Sequence, residues 1–180
     1  MPYTDERLGD FIDLVAAATP APGGGAVAAV TASLAAGLVA MAGPEDPAGV
    51  AALGRRASAL ADEDAAAYSA VVAARRAGQP HTEAMTRATE VPLEITRTAA
   101  AIAQHAAEVF RTGRPAIRGD AATALLLAEG AARAAAYLVE VNVAAGGGTK
   151  ALIDTARAHL ATAVAARDQA GGRVPHTVEH

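Results

Sequence analysis

The sequence predicts an all-α, single-domain bundle of about six helices, rich in alanine. Apolar residues recur at helical spacing in six segments, and no segment alternates convincingly as a strand would. Aromatic residues make up only 3% of the 180 residues, so the core must use Ala, Val, Leu and Ile, which favours closely packed helices. We assign the helical domain to residues 1–170 and a flexible tail to residues 171–180.

The first two predicted helices lie on either side of a loop rich in Pro and Gly. Thr4 is in position to cap the first helix. The apolar stripe of that helix comprises Leu8, Phe11, Ile12 and Val15. The second helix is expected over about Ala26–Ala42, directly after the loop TPAPGGG.

Prolines help to define the third and fourth helices. Asp46 can cap the third helix, with Pro47 in its first position, and the pattern continues to about Ala77. After the break GQP, a fourth helix is expected over about Thr82–Thr112. Pro92 should kink it, because the proline ring removes a backbone donor.

The last two helices begin after polar loops. Asp120 or Gly119 is expected to open the fifth helix, which should reach about Val143. Thr149 is expected to cap the sixth, which fades near Gly171. Small residues at four-residue spacing in the second and fifth helices give flat faces, and burying such faces in a homodimer would cover their apolar area.

Charge and composition exclude several classes of function. The net charge of −4 provides no basic surface for nucleic acid, and the absence of cysteine excludes disulfides and thiolate chemistry and fits a cytoplasmic location. The acidic N-terminus does not resemble a signal peptide. The uncharged stretch after Asp13 is interrupted by PAPGGG, and the 17 residues at 26–42 are too short and too weakly apolar for a confident membrane span.

The triplet Gly23, Gly24 and Gly25, preceded by Pro22, allows two interpretations. It could be a flexible connector between helices. Alternatively, backbone without Cβ atoms can approach a flat molecule closely, and N–H groups at a helix start can bind its acceptors. No Gly-Lys-Ser/Thr follows and no strand precedes, so a nucleotide phosphate loop is excluded.

Four segments resemble the cyclodeaminase/methenyltetrahydrofolate cyclohydrolase family, the helical domain also found at the C-terminal end of formiminotransferase-cyclodeaminases. They are TPAPGGGAVAAVTASLAAGLVAM, DEDAAAYSAVVAA with Asp64 and Tyr68, ATEVPLEI, and GDAATALLLAEGAARAAAYLVEVNV with Asp120 and Asn142. The similarity runs in order over roughly residues 4–165, and PAPGGG is its most specific part.

The resemblance implies an enzyme of folate one-carbon metabolism that needs no metal and no cofactor and forms a homodimer or a higher oligomer. Two reactions are known in such proteins. One hydrolyses 5,10-methenyltetrahydrofolate to 10-formyltetrahydrofolate, and the other cyclises 5-formiminotetrahydrofolate with release of ammonia. Both pass through a tetrahedral carbon between two ring nitrogens, so one site could serve either reaction.

The chain departs from the family pattern at several polar positions. Ala26 stands where the family often has Ser, and Leu138 replaces an Asn. Arg114, Ala116 and Gly119 replace two Asn and a Ser before the Asp-started helix. One alternative is therefore a non-catalytic member that binds a folate or a partner helix, and another is an enzyme for a different cyclic or amidine-like substrate.

Two carboxylates are candidates for proton transfer, because hydrolysis needs a base for the attacking water and an acid for the departing nitrogen. Asp120 stands at a helix start beside an arginine-rich loop, although it could be a plain N-cap. Asp64 has Asp62 and Glu63 beside it, and such crowding can raise a carboxyl pKa. The alternative for Asp64 is a solvated acidic face.

Four further side chains are candidates for binding the substrate. Asn142 lies in an otherwise apolar stretch and could hydrogen-bond a ligand or cap its helix. Arg114 and Arg118 could hold the carboxylates of a folate tail, or be ordinary surface residues. Tyr68 could stack on a flat ring or belong to the core.

We expect a cyclohydrolase rather than a deaminase, because the sequence shows no formiminotransferase domain. No metal site is expected, since His176 and His180 in the tail have neither a carboxylate shell nor a firm helix to hold them. The expected partners are a reduced folate and a second copy of the chain, with no nucleic acid and no membrane.

Overall fold

The computed structural model describes residues 2–171, and within them the chain forms six α-helices and no strand. The helices are α1 (Leu8–Ala16), α2 (Gly24–Met41), α3 (Pro47–Arg76), α4 (Thr82–Thr112), α5 (Arg118–Ala144) and α6 (Lys150–Gly171). The predicted all-α architecture is confirmed. The predicted tail, with His176 and His180, lies outside the described residues apart from the end of α6.

The start of the first helix differs from the prediction. Residues Tyr3–Asp5 form a short 3₁₀ turn, and α1 begins at Leu8 with Arg7 in the N-cap position, so Thr4 does not cap it. The backbone N–H of Tyr3 donates to the carboxylate of Asp62 on α3 at 2.9 Å. This bond joins the first residues to α3.

Whereas α1 begins later than predicted, two other helices begin earlier. α2 starts within the glycine triplet, with Gly23 as its N-cap. A 3₁₀ turn at Pro115–Ile117 leads directly into α5, so Asp120 is the third residue of the helix and not its cap. Elsewhere the predicted bounds agree with the structure, and Asp46 caps α3 by accepting a hydrogen bond from the N–H of Gly49 at 2.9 Å.

Alanine fills the interior where α2, α4 and α5 meet. Each of these helices contributes alanines with no exposed surface: Ala32, Ala35, Ala99, Ala103, Ala128 and Ala132. Side chains of one carbon let helix axes approach to the near end of the usual 8–10 Å range. Larger residues such as Leu60, Ile95 and Ile102 fill the remaining space, and truncating one of them to Ala should cost about 2–5 kcal/mol.

Two segments are long and apolar enough to cross a membrane, judged by length and composition alone. They are Gly24–Met41 and Pro115–Ala144, whose most apolar windows are 44% and 50% buried within the protein. Core helices of soluble proteins have the same properties, so this result is weak evidence for a membrane span.

Candidate functional site

A cavity of about 340 Å³ lies where the first turn of α2 meets α3, α4 and the C-terminal end of α5. It is lined by Pro20, Ala21, Gly23, Gly24, Gly25, Asp64, Ala65, Tyr68, Ala88, Pro92, Leu138, Val141 and Asn142. Among these lining residues, Asp64 and Tyr68 are the only titratable ones. Most of the wall is therefore apolar or bare backbone.

The glycine triplet forms the end wall of the cavity and brings a carboxylate against the backbone. The first helical bond of α2 joins the N–H of Val27 to the carbonyl of Gly23 at 3.1 Å, so the N–H groups of Gly24 and Gly25 have no helical acceptor. A Cβ placed on Gly25 would overlap the carboxyl group of Asp64. Only glycine at this position lets the carboxyl group lie so close to the helix start.

Burial of the Asp64 side chain raises its pKa from 3.8 to about 6. The cause is loss of hydration, which disfavours the charged form. The backbone N–H of Ala26 partly offsets this effect, because it hydrogen-bonds the carboxylate and favours ionisation. A carboxyl group with this pKa can accept a proton and return it near neutral pH.

From the sequence we expected crowding by Asp62 and Glu63 to raise the pKa of Asp64. That reason is wrong, because neither carboxylate is a cause of the shift. Successive helical residues point about 100° apart, so Asp62 and Glu63 face other directions. Asp62 accepts the N–H of Tyr3, and Glu63 pairs with Arg56 and with Arg87, the latter at 2.8 Å. The pKa of Asp64 is therefore raised by burial of its side chain.

Asn142 is held in a fixed orientation in the wall of the cavity. Its Nδ2 donates to the backbone carbonyl of Ala88 on α4 at 2.6 Å. Since that carbonyl can only accept, the amide oxygen Oδ1 is left as an acceptor, and the hydrogen bonds of residues 2–171 include none to it. The C-cap of α5 is Ala145, so the side chain of Asn142 does not cap the helix.

The remaining walls are apolar. Tyr68 lies one helical turn after Asp64 and is 44% exposed, so it stands at the rim rather than in the core. Leu138 approaches the start of α2, its Cδ1 being 3.9 Å from the position that a Cβ on Gly24 would occupy. The side chain of Leu138 is therefore an apolar part of the cavity wall. In the family that the sequence resembles, an Asn stands at this position.

The structure brings together part of the predicted site. Gly23, Gly24, Gly25, Asp64, Tyr68 and Asn142 all line the one cavity. Pro22 does not, because it is buried behind the loop while Pro20 and Ala21 face the cavity. Within residues 2–171, no group of three or more His, Asp or Glu side chains is arranged to hold a metal ion.

Asp120, Arg114 and Arg118, which are also candidates from the sequence, lie far from this cavity within one chain. All three are exposed near the N-terminal end of α5, whereas Leu138 and Asn142 are near its C-terminal end. Asp120 and Leu138 are 18 residues apart on one continuous helix, which separates them by about 27 Å.

Sequence reasoning missed several residues that line the cavity, among them Pro20, Ala65, Ala88 and Val141. A small side chain carries no chemical signal of its own. Pro92 did carry a usable signal, because a proline inside a helix leaves the carbonyl four residues earlier without a donor. That carbonyl belongs to Ala88, the acceptor of the bond from Asn142.

Comparisons with known proteins reveal similarities in sequence and in fold. The sequence model of the family described as formiminotransferase-cyclodeaminase matches residues 7–44 and 48–146. No curated protein matches the chain in sequence. A crystal structure of formiminotetrahydrofolate cyclodeaminase from Thermotoga maritima has the same fold, with a TM-score of 0.82 at 20% identity over 96% of this chain and 99% of that one.

Proposed function

Because this chain belongs to the formiminotransferase-cyclodeaminase family, we propose that it is an enzyme acting on a one-carbon derivative of reduced folate, with Asp64 as the group that transfers protons. One observation carries the proposal: a carboxyl group of pKa about 6 lies against bare backbone in a cavity suited to a flat ring. Such a match between pKa and working pH is typical of an acid–base residue.

The cavity can hold a ring through polar groups at two walls. The N–H groups of Gly24 and Gly25 can donate to ring acceptors, and Oδ1 of Asn142 can accept from a ring N–H or amino group. Leu138 and Pro92 provide apolar surface for the ring faces. The volume of about 340 Å³ lies near the lower end of known ligand pockets, so we propose that the ring enters and the rest of the molecule extends outside.

The preferred reaction is hydrolysis of 5,10-methenyltetrahydrofolate to 10-formyltetrahydrofolate. The carboxylate of Asp64 accepts a proton from a water molecule while the water oxygen bonds to the bridging carbon. The tetrahedral intermediate then loses its hydroxyl proton to solvent, a carbonyl forms, and the bond from that carbon to N5 breaks. Asp64 returns its proton to N5, so the reaction releases one proton overall.

The second candidate is the cyclodeaminase reaction. The likeness in fold to the formiminotetrahydrofolate cyclodeaminase of Thermotoga maritima supports it. Here the protonated carboxyl group of Asp64 donates to the formimino nitrogen, and N10 bonds to the formimino carbon. The carboxylate accepts the N10 proton and passes it to the amino group, which leaves as ammonia. Solvent then restores the proton on Asp64.

We also propose that the protein works in the cytoplasm, without a bound metal or cofactor, as a homodimer. Each reaction forms one new bond to the one-carbon unit, breaks one carbon–nitrogen bond and otherwise moves only protons, so acid–base chemistry is sufficient for both. The net charge of −4 and the lack of cysteine are consistent with this setting.

Purified protein should be assayed with both substrates. Loss of methenyl absorbance above the buffer rate supports the hydrolase, and gain of methenyl absorbance with release of ammonia from the formimino compound supports the deaminase. The D64N variant should lose at least about 100-fold in rate while still binding the folate, since general acid–base catalysis contributes 10²–10⁴-fold. Binding without turnover in the unchanged protein would indicate a non-catalytic member, and absence of binding would refute the proposal.

A further inference from the structure

Asp64, Tyr68 and Arg75 lie in a row along one side of α3. They are four and then seven residues apart, and at about 100° per residue these spacings place all three within about 40° around the helix. Asp64 and Tyr68 line the cavity, whereas Arg75 lies in the last turn of α3, about 10 Å beyond Tyr68 along the helix axis. Because the Cα–Cβ bonds of a helix tilt towards its N-terminus, that of Arg75 points back towards the cavity.

The guanidinium group of Arg75 also lies near the part of α4 that lines the cavity. Its Nη2 is 3.7 Å from the sulfur atom of Met85, which is near the start of α4. Ala88, three residues after Met85 and therefore about one turn along α4, is a cavity residue. The charged group of Arg75 is thus about one helical turn of α4 from the cavity wall.

Arg75 is exposed and forms no salt bridge within residues 2–171. Its one side-chain hydrogen bond in that part of the chain goes to the thioether sulfur of Met85, which is a weak acceptor. By contrast, three other arginines of α3 and α4 each pair with a glutamate, namely Arg56, Arg87 and Arg97. Most of the five N–H donors of Arg75 are therefore left for water or for a bound anion.

A reduced folate carries negative charge at a matching distance from its reacting carbon. Its glutamate is joined to the ring system through a p-aminobenzoyl group, and with bond lengths like those of a peptide chain the carboxylates lie roughly 10 Å from the bridging carbon. The Cα atoms of Asp64 and Arg75 are about 16.5 Å apart along α3, and the long side chain of Arg75 spans the difference. Arg114 and Arg118, which the sequence suggested for this role, are too far away within one chain.

We propose that Arg75 binds a carboxylate of the glutamate of the folate, with the p-aminobenzoyl ring stacked on Tyr68. One side of α3 then holds the substrate lengthwise, from the reacting carbon at Asp64 to the glutamate at Arg75. The planar guanidinium group can bind a carboxylate through two parallel N–H···O hydrogen bonds. This subsite rests on the proposed function, because it requires a folate in the cavity.

Binding of two stable ligands tests the subsite without any turnover. They are 5-formyltetrahydrofolate and its analogue in which a neutral methylamide replaces the glutamate. In titration calorimetry the natural protein should bind the first about three- to tenfold more tightly, since an exposed ion pair contributes modestly even with two hydrogen bonds. Arg75→Gln should remove this preference without weakening binding of the methylamide. Arg76→Gln is the matched control, because it removes the same charge from the same turn of α3 but points about 100° away, and it should keep the preference.

Further variants separate the contact of the glutamate from that of the ring. Arg75→Lys should keep only part of the preference, because it keeps the charge but not the paired hydrogen bonds. Tyr68→Ala should weaken both ligands to the same extent, since both contain the benzoyl ring, and Tyr68→Phe should weaken them less. Once an activity is known, Arg75→Gln should raise KM more than it lowers kcat, because the contact is the same in the ground state and the transition state.

The possible outcomes distinguish the subsite from the proposed function. Equal binding of the two ligands by the natural protein, or a preference that survives Arg75→Gln, would overturn the subsite and leave the proposed function standing. A preference lost equally in Arg76→Gln would show a general effect of charge and would rule out the specific contact. If neither ligand binds, the proposed function fails and the subsite fails with it.

Discussion

The side chain of Asn142 on α5 replaces the backbone donor that Pro92 removes from α4. In a regular helix the carbonyl of Ala88 would accept from the N–H of residue 92, and proline has none. Nδ2 of Asn142 donates to this carbonyl at 2.6 Å. A single hydrogen bond thus joins the carbonyl that Pro92 leaves without a donor in α4 to a polar side chain of α5. Ala88, Pro92 and Asn142 all line the cavity.

Asn142→Ala should lower the free energy of unfolding by about 1–3 kcal/mol, because it leaves the carbonyl of Ala88 without a donor. The matched control is the same change in a Pro92→Ala background, where residue 92 regains its N–H and can bond Ala88 directly. There the cost of Asn142→Ala should fall below about half of its first value. Urea unfolding of the four proteins measures this, and equal costs in both backgrounds would contradict the assignment.

Gly25→Ala should destabilise the protein by about 1–3 kcal/mol, because the new methyl group overlaps the carboxyl group of Asp64. Gly24→Ala is the control, since a Cβ there makes an ordinary contact with Leu138. In an Asp64→Ala background, Gly25→Ala should become neutral or stabilising, because alanine favours helix over glycine. Thermal unfolding distinguishes these cases, and a cost that persists without Asp64 would exclude the clash as its cause.

Replacing Asp64 should stabilise the protein near neutral pH. The folded state raises the pKa of this carboxyl group above its unfolded value, so stability is lost as pH rises from about 4 to 6. The side chain of the Asp64→Asn variant cannot ionise. The free energy of unfolding of this variant, relative to that of the natural protein, should therefore increase by about 2–3 kcal/mol between pH 4 and pH 7. Denaturant unfolding across this range provides the measurement. Asp13→Asn, on the exposed side of α1, controls for loss of one carboxylate.

The order and type of the helices could be predicted from the sequence because local signals determine them. Pro47 after Asp46 and the GQP break fixed the bounds of α3 and α4 within a residue or so. The start of α1 was predicted wrongly. The short turn before it bonds through Tyr3 to Asp62, 59 residues further along, and no local sequence signal shows such a bond.

The candidate site was predictable only in part, for the same reason. Gly25 and Asp64 meet through tertiary packing, and the burial that shifts the pKa of Asp64 has no local sequence signal. Asp120 lies far from Leu138 and Asn142 within one chain because α5 continues unbroken between them. A continuous helix fixes the distance between its residues, so the predicted helix from Asp120 to about Val143 already implied this separation.

The pH dependence of the rate should distinguish the two proposed reactions. Hydrolysis needs the ionised form of Asp64, so kcat should rise with pH up to about 6 and then level off. The deaminase needs the protonated form, so its kcat should fall above about pH 6 as that form is depleted. Asp13→Asn, away from the cavity, should keep the same profile, whereas Asp64→Glu, which shifts the carboxyl group in the cavity, should move the midpoint. A profile without a midpoint within about one unit of pH 6, in either assay, would show that Asp64 is not the titrating group, and the acid–base assignment would have to pass to another residue.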